Sequence, residues 1–446
     1  MLIYQSFDAM CAKQPEKACL IYGQRCMSYR QASRQIQLLA ERLAMKIQPG
    51  DKVLLQLSDP IDQLLYFFAV VKAGGACVFV DGAAPPSVCA ALMKRYELQH
   101  SIQDDFQPAT AAASSLPQNS RQHIFLGALS SGSTGTPKLI WRDHQSWTSA
   151  FAAQSRIFGI DGTDTLYLAG NLGYTANLNA CLHLVSEGGT VVMAGNQLPR
   201  TWVREIAEYK VSAVFMVPAH YRSLLRAMPG PIALVRSLVT AGAKIDGNTV
   251  RDLVSYFPAA AICEYYGASE LGHVSYATAA DLLAYPESVG RAFPGVSIRI
   301  EEGIIWVESP YLAPAHRPRG TVKDMGKVNA HGYLTLLGRQ QGLINVGGVK
   351  VIPEQVESIL RQCPGIAEAA VGPVPDPIRG ERVCAWIVKQ DDGLQMGDIR
   401  AFCRQRINRH CCPQKFVFVK ELPILPNGKI DRVALKTEFV PAADRS

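Results

Sequence analysis

The nine residues Ser130-Ser131-Gly132-Ser133-Thr134-Gly135-Thr136-Pro137-Lys138 form the segment of the chain best suited to chemistry. Gly132 and Gly135 let the backbone turn tightly and aim successive N–H groups at an anion. The hydroxyls of Ser131, Ser133 and Thr134 add neutral donors, and Lys138 adds a point charge. That set suits phosphate oxygens. It is not the Walker loop, because Gly135 is not followed directly by Lys and Ser/Thr. A solvent-exposed turn would have the same composition. Far along the chain, Asn427-Gly428 precedes Lys429, and such a pair favours a tight turn with the lysine at its tip. Taken alone, that lysine reads equally well as a surface residue. His410, Cys411 and Cys412 adjoin one another, but no second ligand pair stands at zinc spacing, so a metal is not expected there. No dinucleotide-type glycine fingerprint follows a strand.

The elements that must position these residues read as α/β layering. Segment 61–73, IDQLLYFFAVVKA, has the apolar spacing of a buried helix. Gly74 and Gly75 stop it, and ACVFV follows as a strand. The same order of helix, glycine stop and Val-rich strand recurs at 180–195 and 201–218. Buried parallel strands are expected. From 300 to 340 the pattern changes: IRIEEGIIWVESP predicts a hairpin and HGYLTLLGR a short strand. A compact unit then restarts as strand (LINVGGVKV), helix (PEQVESILRQC), strand (AEAAVGPV), strand (RVCAWIVK), helix (MGDIRAFCRQRINRH) and a Pro-rich tail. The polar Gln-Gln-Gly stretch after Arg339 suits a joint between domains.

Composition narrows the function classes. The chain has 446 residues, 48% hydrophobic and 19% charged, which excludes extensive disorder. Its net charge of +7 is scattered without a Lys/Arg run, so nucleic acid is not an expected partner. No apolar run reaches the roughly 18 residues of a membrane span, and no membrane association is expected. The first residues lack the pattern of a signal peptide. Twelve cysteines without regular spacing predict reduced thiols and a cytoplasmic setting.

The order of residues in the 130–138 segment resembles the phosphate loop of the adenylate-forming superfamily. That superfamily includes acyl- and aryl-CoA ligases, adenylation domains of peptide synthetases, and luciferases, with the pattern Ser/Thr-Ser-Gly-Ser/Thr-Thr-Gly-x-Pro-Lys. The resemblance continues in order along nearly the whole chain. It passes through Lys72-Ala73-Gly74-Gly75-Ala76, His144, Gly242-Ala243-Lys244, Tyr266-Gly267-Ala268-Ser269-Glu270, Val289-Gly290-Arg291, Ile305-Trp306-Val307, Asp324, Gly338-Arg339, Gly347-Gly348 and Pro426-Asn427-Gly428-Lys429-Ile430. It implies a large N-terminal domain of layered α/β subdomains (1–339, with the ATP and acid sites). A small, mobile α+β C-terminal domain (340–446) carrying the catalytic lysine would be joined to it by a hinge at Gln341. ATP and Mg²⁺ are the implied cofactors. Lys429 would reach between the substrate carboxylate and the α-phosphate. Glu270 would hold Mg²⁺ beside Ser269. Tyr266 would stack on adenine near Gly267, Gly242 and Ala243. Asp324 would accept from the ribose hydroxyls, and Arg339 would contact the nucleotide. Three positions depart from the family: Ser269 replaces the usual Thr, Val322-Lys323 precedes Asp324 in place of Thr-Gly, and Gln341 replaces Asp or Lys.

The implied reaction activates a small carboxylic acid, aryl or acyl, as an acyl-adenylate with loss of pyrophosphate. The acyl group then passes to a thiol, either coenzyme A or the phosphopantetheine of a carrier protein. The acid pocket is expected along 168–177, with Asn171, Tyr174 and Asn177 as candidate lining residues and His220 as another. No acid lies between Asp164 and Glu187. A buried ammonium without a counter-charge is costly, which argues against an ordinary α-amino acid. The alternative is a stand-alone amino-acid adenylation enzyme loading a separate acyl or peptidyl carrier protein. Residues 430–446, after Lys429, are too few for a carrier domain. A non-catalytic nucleotide-binding protein on the same fold is disfavoured by the retained Lys138, Glu270, Asp324 and Lys429.

Overall fold

A computed structural model describes residues 1–111, 113, 115–130, 138–346, 349–376, 380–390, 393–409, 411–424, 430–432 and 434–435. Ser131, Gly132, Ser133, Thr134 and Gly135 of the expected phosphate loop, together with Gly347-Gly348, His410 and Lys429, lie outside them. The described residues form two compact units. One holds everything up to Ile298 together with Val307–Gly320; the other holds Arg299–Trp306 and everything from Thr321 on.

The first unit carries two sheets. The larger has nine strands in the order Arg291–Ala292, Gly272–Thr278, Ala261–Ala268, Ser237–Ala241, Ala213–Phe215, Thr165–Leu168, Thr190–Met193, Ala18–Tyr22, Arg25–Ser28. From Ala261–Ala268 to Ala18–Tyr22 the pairing is parallel throughout. Strands such as Ser237–Ala241 and Thr190–Met193 are buried along their whole length. Such burial on both faces is why they read as continuous apolar runs. The smaller sheet runs His100–Gln103, Lys52–Gln56, Ala76–Phe79, Ile124–Ser130, Lys138–Asp143. Its last two strands pair antiparallel, with Ser130 opposite Lys138. These two strands are the arms of a hairpin.

The expected central helix is Pro60–Lys72. Asp59 starts it by accepting from Ile61 N at 2.7 Å and Asp62 N at 3.4 Å, and Pro60 occupies the first helical position. Such a cap is worth about 1 kcal/mol. Phe67, Phe68 and most other side chains of this helix are buried, as an all-round apolar helix must be. Gly74 ends it at φ +90°, where a side chain would press on Pro49 and Pro117.

Ser297–Glu301 and Ile304–Glu308, of which residues 299–306 belong to the second unit, form the expected hairpin. Its two turn residues, Glu302 (φ 50°) and Gly303 (φ 77°), both have positive φ, as a two-residue turn matched to strand twist requires. Asp324–Val328 and Leu334–Arg339 extend that sheet antiparallel. The remaining sheet orders Val349–Val351, Ile344–Val346, Gly380–Lys389, Ile366–Asp376, with Lys415–Val419 pairing parallel to Gly380–Lys389. Two expectations change here. LINVGGVKV is a hairpin of two short strands rather than one strand. The tail contains a strand, Lys415–Val419, because KFVFV pairs parallel along the central strand Gly380–Lys389. Helices Pro353–Leu360 and Met396–Arg406 fall where expected. Compactness divides the chain at Thr321, ahead of the Arg339–Gln340 joint. No helix among the described residues is long and apolar enough to cross a membrane.

Candidate active site

In the first unit, the candidate residues gather where the parallel strands of the large sheet end. Open α/β sheets bind ligands at the carboxyl ends of their strands. Thr165–Leu168 runs out into the 169–174 loop, Ser237–Ala241 into Gly242, and Ala261–Ala268 into Ser269 and Glu270. Tyr174 immediately precedes helix Thr175–Glu187 and meets the glycine turn directly. Gly242 stands at φ +90°, and a Cβ built there would lie 2.2 Å from the Tyr174 hydroxyl. Burial pushes the Tyr174 phenol up to about 12, so it stays neutral. One residue on, Thr175 Oγ1 lies 3.4 Å from Ser269 Oγ. The start of one helix thus touches both turns.

The 242–245 turn is held from behind. Glu264, buried within the strand Ala261–Ala268, accepts from Ile245 N at 2.6 Å and from Lys244 Nζ at 2.7 Å. Burial raises its pKa and Lys244 opposes the rise. Gly242 and Ala243 remain exposed. Tyr266 is half-buried beside a bulge at Tyr266/Gly267. Gly267 admits no side chain, since a Cβ would lie 2.4 Å from the Gly272 carbonyl.

The Ser269–Glu270 turn is held by Arg142. That guanidinium is almost fully buried and donates to the Ser269 carbonyl at 2.6 Å, the Tyr311 carbonyl at 2.7 Å and the Ser146 carbonyl at 3.0 Å. Burial lowers its pKa, Asp143 and Glu270 oppose that, and Arg317 adds to it. Arg142 sits on the strand that begins with exposed Lys138, so the end of the hairpin and the Glu270 turn are parts of one packed assembly. Glu270 offers one carboxylate on the residue after Ser269, whose hydroxyl lies 3.4 Å from that of Thr175. Among the described residues no three His, Cys, Asp or Glu cluster as a metal cage. A single carboxylate suits Mg²⁺, which keeps waters and takes further oxygens from phosphate.

The expected acid-pocket residues divide. Tyr174 faces the glycine turn. Asn177 is buried and spends its amide on the Asn171 carbonyl at 3.0 Å. Asn171 accepts from Tyr174 N at 3.2 Å and donates to Asp81 at 2.9 Å. Both asparagines therefore shape the loop, and Asp81 is an acid brought to it from another strand end. His220 is hydrogen-bonded to the Ala169 backbone and packs on Trp202 at 5.1 Å between ring centres. It braces the loop from the Trp202 side. His144 is a core residue, stacked 4.8 Å from Phe125, accepting from Ile3 N at 3.1 Å and held neutral by burial.

Arg142, Glu264 and Asp81 escaped the sequence reading. A charged residue inside an apolar strand, as in Ile262-Cys263-Glu264-Tyr265, was the available signal. A buried polar group, Gln154, Asn179 and His273, was also missed: Gln154 Nε2 lies 2.9 Å from Asn179 Oδ1 and 3.1 Å from His273 Nε2. His273 packs 4.5 Å from Tyr265. These residues come together only in the fold.

In the second unit, Asp324 is buried and accepts from Arg339 Nε at 2.9 Å, the two facing each other across paired strands. Gln341 lies in a short 3-10 turn, Gln340–Gly342.

A family model described as AMP-binding enzyme matches residues 7–126 and 103–314, and one described as AMP-binding enzyme C-terminal domain matches 355–429. The chain belongs to the AMP-binding enzyme family. Relatives of this AMP-binding enzyme include the uncharacterized acyl–CoA ligase YhfT of Bacillus subtilis, 26% identical over 98% of each chain. Another is the putative long chain fatty acid–CoA ligase VraA of Staphylococcus epidermidis, 26% identical over 96% of each. Among solved structures, O-succinylbenzoate coenzyme A synthetase from B. subtilis in complex with AMP superposes with a TM-score of 0.84 at 19% identity. The match covers 97% of this chain and 98% of that one. ATP-bound MatB from Rhodopseudomonas palustris also gives 0.84, at 22% identity over 98% of each. At such identities the structural likeness establishes the shared fold.

Proposed function

We propose that this AMP-binding enzyme activates a small aryl or acyl carboxylic acid with ATP, releases pyrophosphate, and transfers the acyl group from the adenylate to coenzyme A. The observation that carries this reading is the junction of Tyr174-Thr175 with the Gly242 and Ser269–Glu270 turns at the ends of one parallel sheet. Attack of a carboxylate on the α-phosphorus depends on positioning and charge stabilisation more than on acid–base chemistry. Tyr266 and the 242–243 turn would receive the adenine. Glu270, kept in place by Arg142, would hold Mg²⁺, which supplies charge neutralisation on the phosphates when bound. Ser131, Gly132, Ser133, Thr134, Gly135 and Lys138 would cradle the phosphates. Asp324, oriented by Arg339, would accept from the ribose. Lys429 would stabilise the charge at the carboxylate and α-phosphate. Rotation of residues 340–446 about Gln341 would then exchange Lys429 for the thiol.

Coenzyme A is preferred to a carrier protein because the relatives' names are those of acyl–CoA ligases. The free thiols of all twelve cysteines support a reducing, cytoplasmic setting. Chromatographic detection of AMP and an acyl-CoA, formed only when acid, ATP, Mg²⁺ and coenzyme A are all present, tests the reading. AMP formation coupled only to a carrier-bound phosphopantetheine would replace coenzyme A with a carrier.

A further inference from the structure

The residues that follow Lys429 along the chain are tied into the second unit by an ionic group centred on the buried Glu357. Among the described residues, strand Ile366–Asp376 is an edge strand, paired only with Gly380–Lys389. An edge strand presents main-chain groups that need partners elsewhere. At Val371 both are met by opposite charges. Glu357 Oε1 accepts from Val371 N at 2.7 Å, and Arg432 Nη1 donates to the Val371 carbonyl. The two side chains also meet each other, Arg432 Nη2 lying 2.9 Å from Glu357 Oε1. Glu357 is only 3% exposed, and its second oxygen is 3.3 Å from Arg361 Nη2. Arg432 is three residues beyond Lys429 along the chain. Just before it, Ile430 pairs with Ile424, and Asp431 N donates to the Pro423 carbonyl at 2.8 Å. Leu422 and Leu435 are buried in one apolar cluster with Val374 and Trp386, and Ile430 packs on it. Residues 422–424 and 430–435, on either side of Lys429 in sequence, are thus joined by backbone and apolar contacts, while the Glu357–Arg432 pair ties Arg432 to strand Ile366–Asp376.

The same group reaches the strand end that precedes the hinge. Glu354, one helical turn before Glu357, lies 3.6 Å from Arg432 Nη2 through Oε1. Its Oε2 is buried, and a Cβ built on Gly338 would approach it to 2.6 Å.

We propose that Glu357 and Arg432 are a positioning pair that sets the placement of Lys429, so that losing the pair impairs adenylation far more than thioester formation. The inference rests on the role given to Lys429 above. Neither residue is assigned to the reacting atoms; each acts through the residues that follow Lys429 along the chain.

The test separates the half-reactions in the full-length enzyme. ATP–pyrophosphate exchange is measured with whichever of benzoate, octanoate or another carboxylic acid gives the highest wild-type rate. Thioester formation is measured from the matching synthetic acyl-adenylate and coenzyme A. Glu357→Gln and Arg432→Ala are expected to lower exchange on the order of 10²-fold, as a displaced reacting group does. Thioester formation should change by less than about threefold. Arg432→Lys, which keeps charge but loses the second N–H contact, should recover part of the exchange. Amide hydrogen exchange over residues 422–432 should accelerate in Arg432→Ala, and this readout needs no substrate. Should Glu357→Gln fail to fold, the two Arg432 variants at a half-exposed side chain carry the test. Equal losses in both half-reactions, or unchanged hydrogen exchange over 422–432, would overturn the positioning role. Lost exchange in Lys429→Ala with full exchange in Arg432→Ala would overturn the pair alone. Full exchange in Lys429→Ala would remove the role of the lysine itself, and the pair's with it.

Discussion

Replacing Gly242 by alanine probes the contact on which the active-site geometry turns. Gly242 sits at φ +90°, so any side chain there is strained whatever the space. That strain costs about 1–2 kcal/mol. The added Cβ would also lie 2.2 Å from the Tyr174 hydroxyl but 3.4 Å from the ring carbon bearing it, with Val217 no nearer than 3.7 Å. Only the hydroxyl collides, and relieving such an overlap costs about 1–3 kcal/mol. Gly242→Ala should therefore destabilise the wild type by about 2–5 kcal/mol. In a Tyr174→Phe background the cost should shrink to the backbone part, about 1–2 kcal/mol. Equilibrium denaturation of the four proteins measures the coupling. The exchange assay run in parallel should show a raised KM for the acid in Gly242→Ala, partly restored by Tyr174→Phe. An equal cost in both backgrounds, to within about 0.5 kcal/mol, would refute the direct contact between loop and turn.

Other outcomes follow from the same geometry. Glu270→Gln should raise the KM for Mg-ATP and lower exchange by about 10²–10³-fold, since the one carboxylate beside Ser269 is lost; Mg²⁺ titration of exchange checks it. Glu264→Gln, which removes the charge facing Lys244, should loosen the 242–245 turn and cost about 1.5–3 kcal/mol, because charge-assisted hydrogen bonds become neutral ones, read by urea denaturation. His144, His183 and His273 are buried and neutral, with pKa values lowered by burial from 6.5 to about 4, about 3 and about 3. The unfolded chain binds more protons below pH 6.5, so stability should fall as pH drops from about 6.5 towards 4. The slope is up to about 1.4 kcal/mol per pH unit for each histidine. Denaturation midpoints between pH 7.5 and about 5 measure this, and a flat profile would contradict the burial.

Much of the fold could be read from the chain because apolar periodicity and glycine stops reflect burial on both faces of a parallel sheet. IDQLLYFFAVVKA followed by Gly74 is such a case, and the helix Pro60–Lys72 follows it closely. KFVFV was hidden because its strand depends on the neighbouring Gly380–Lys389, a long-range pairing that no local pattern encodes. The candidate site was legible where one short motif supplies its residues, as at Tyr266–Glu270. It was obscure where residues from separate elements meet. Asn171 and Asn177 have the side chains of ligand-binding residues, yet in the fold they bind their own loop. Arg142 and Glu264 look like odd charges in apolar strands, yet they hold the two turns around which the site is built. Asp81 approaches Asn171 from a different sheet, a proximity that spacing along the chain cannot express.

The most direct test of acid activation is ATP–pyrophosphate exchange across benzoates, aminobenzoates, hydroxybenzoates, short and medium fatty acids and amino acids, with Lys429→Ala beside the wild type. Exchange that depends on an aryl or aliphatic acid and falls by about 10²-fold or more in Lys429→Ala is the predicted result. Exchange with amino acids alone, or an unchanged rate in Lys429→Ala, would contradict it.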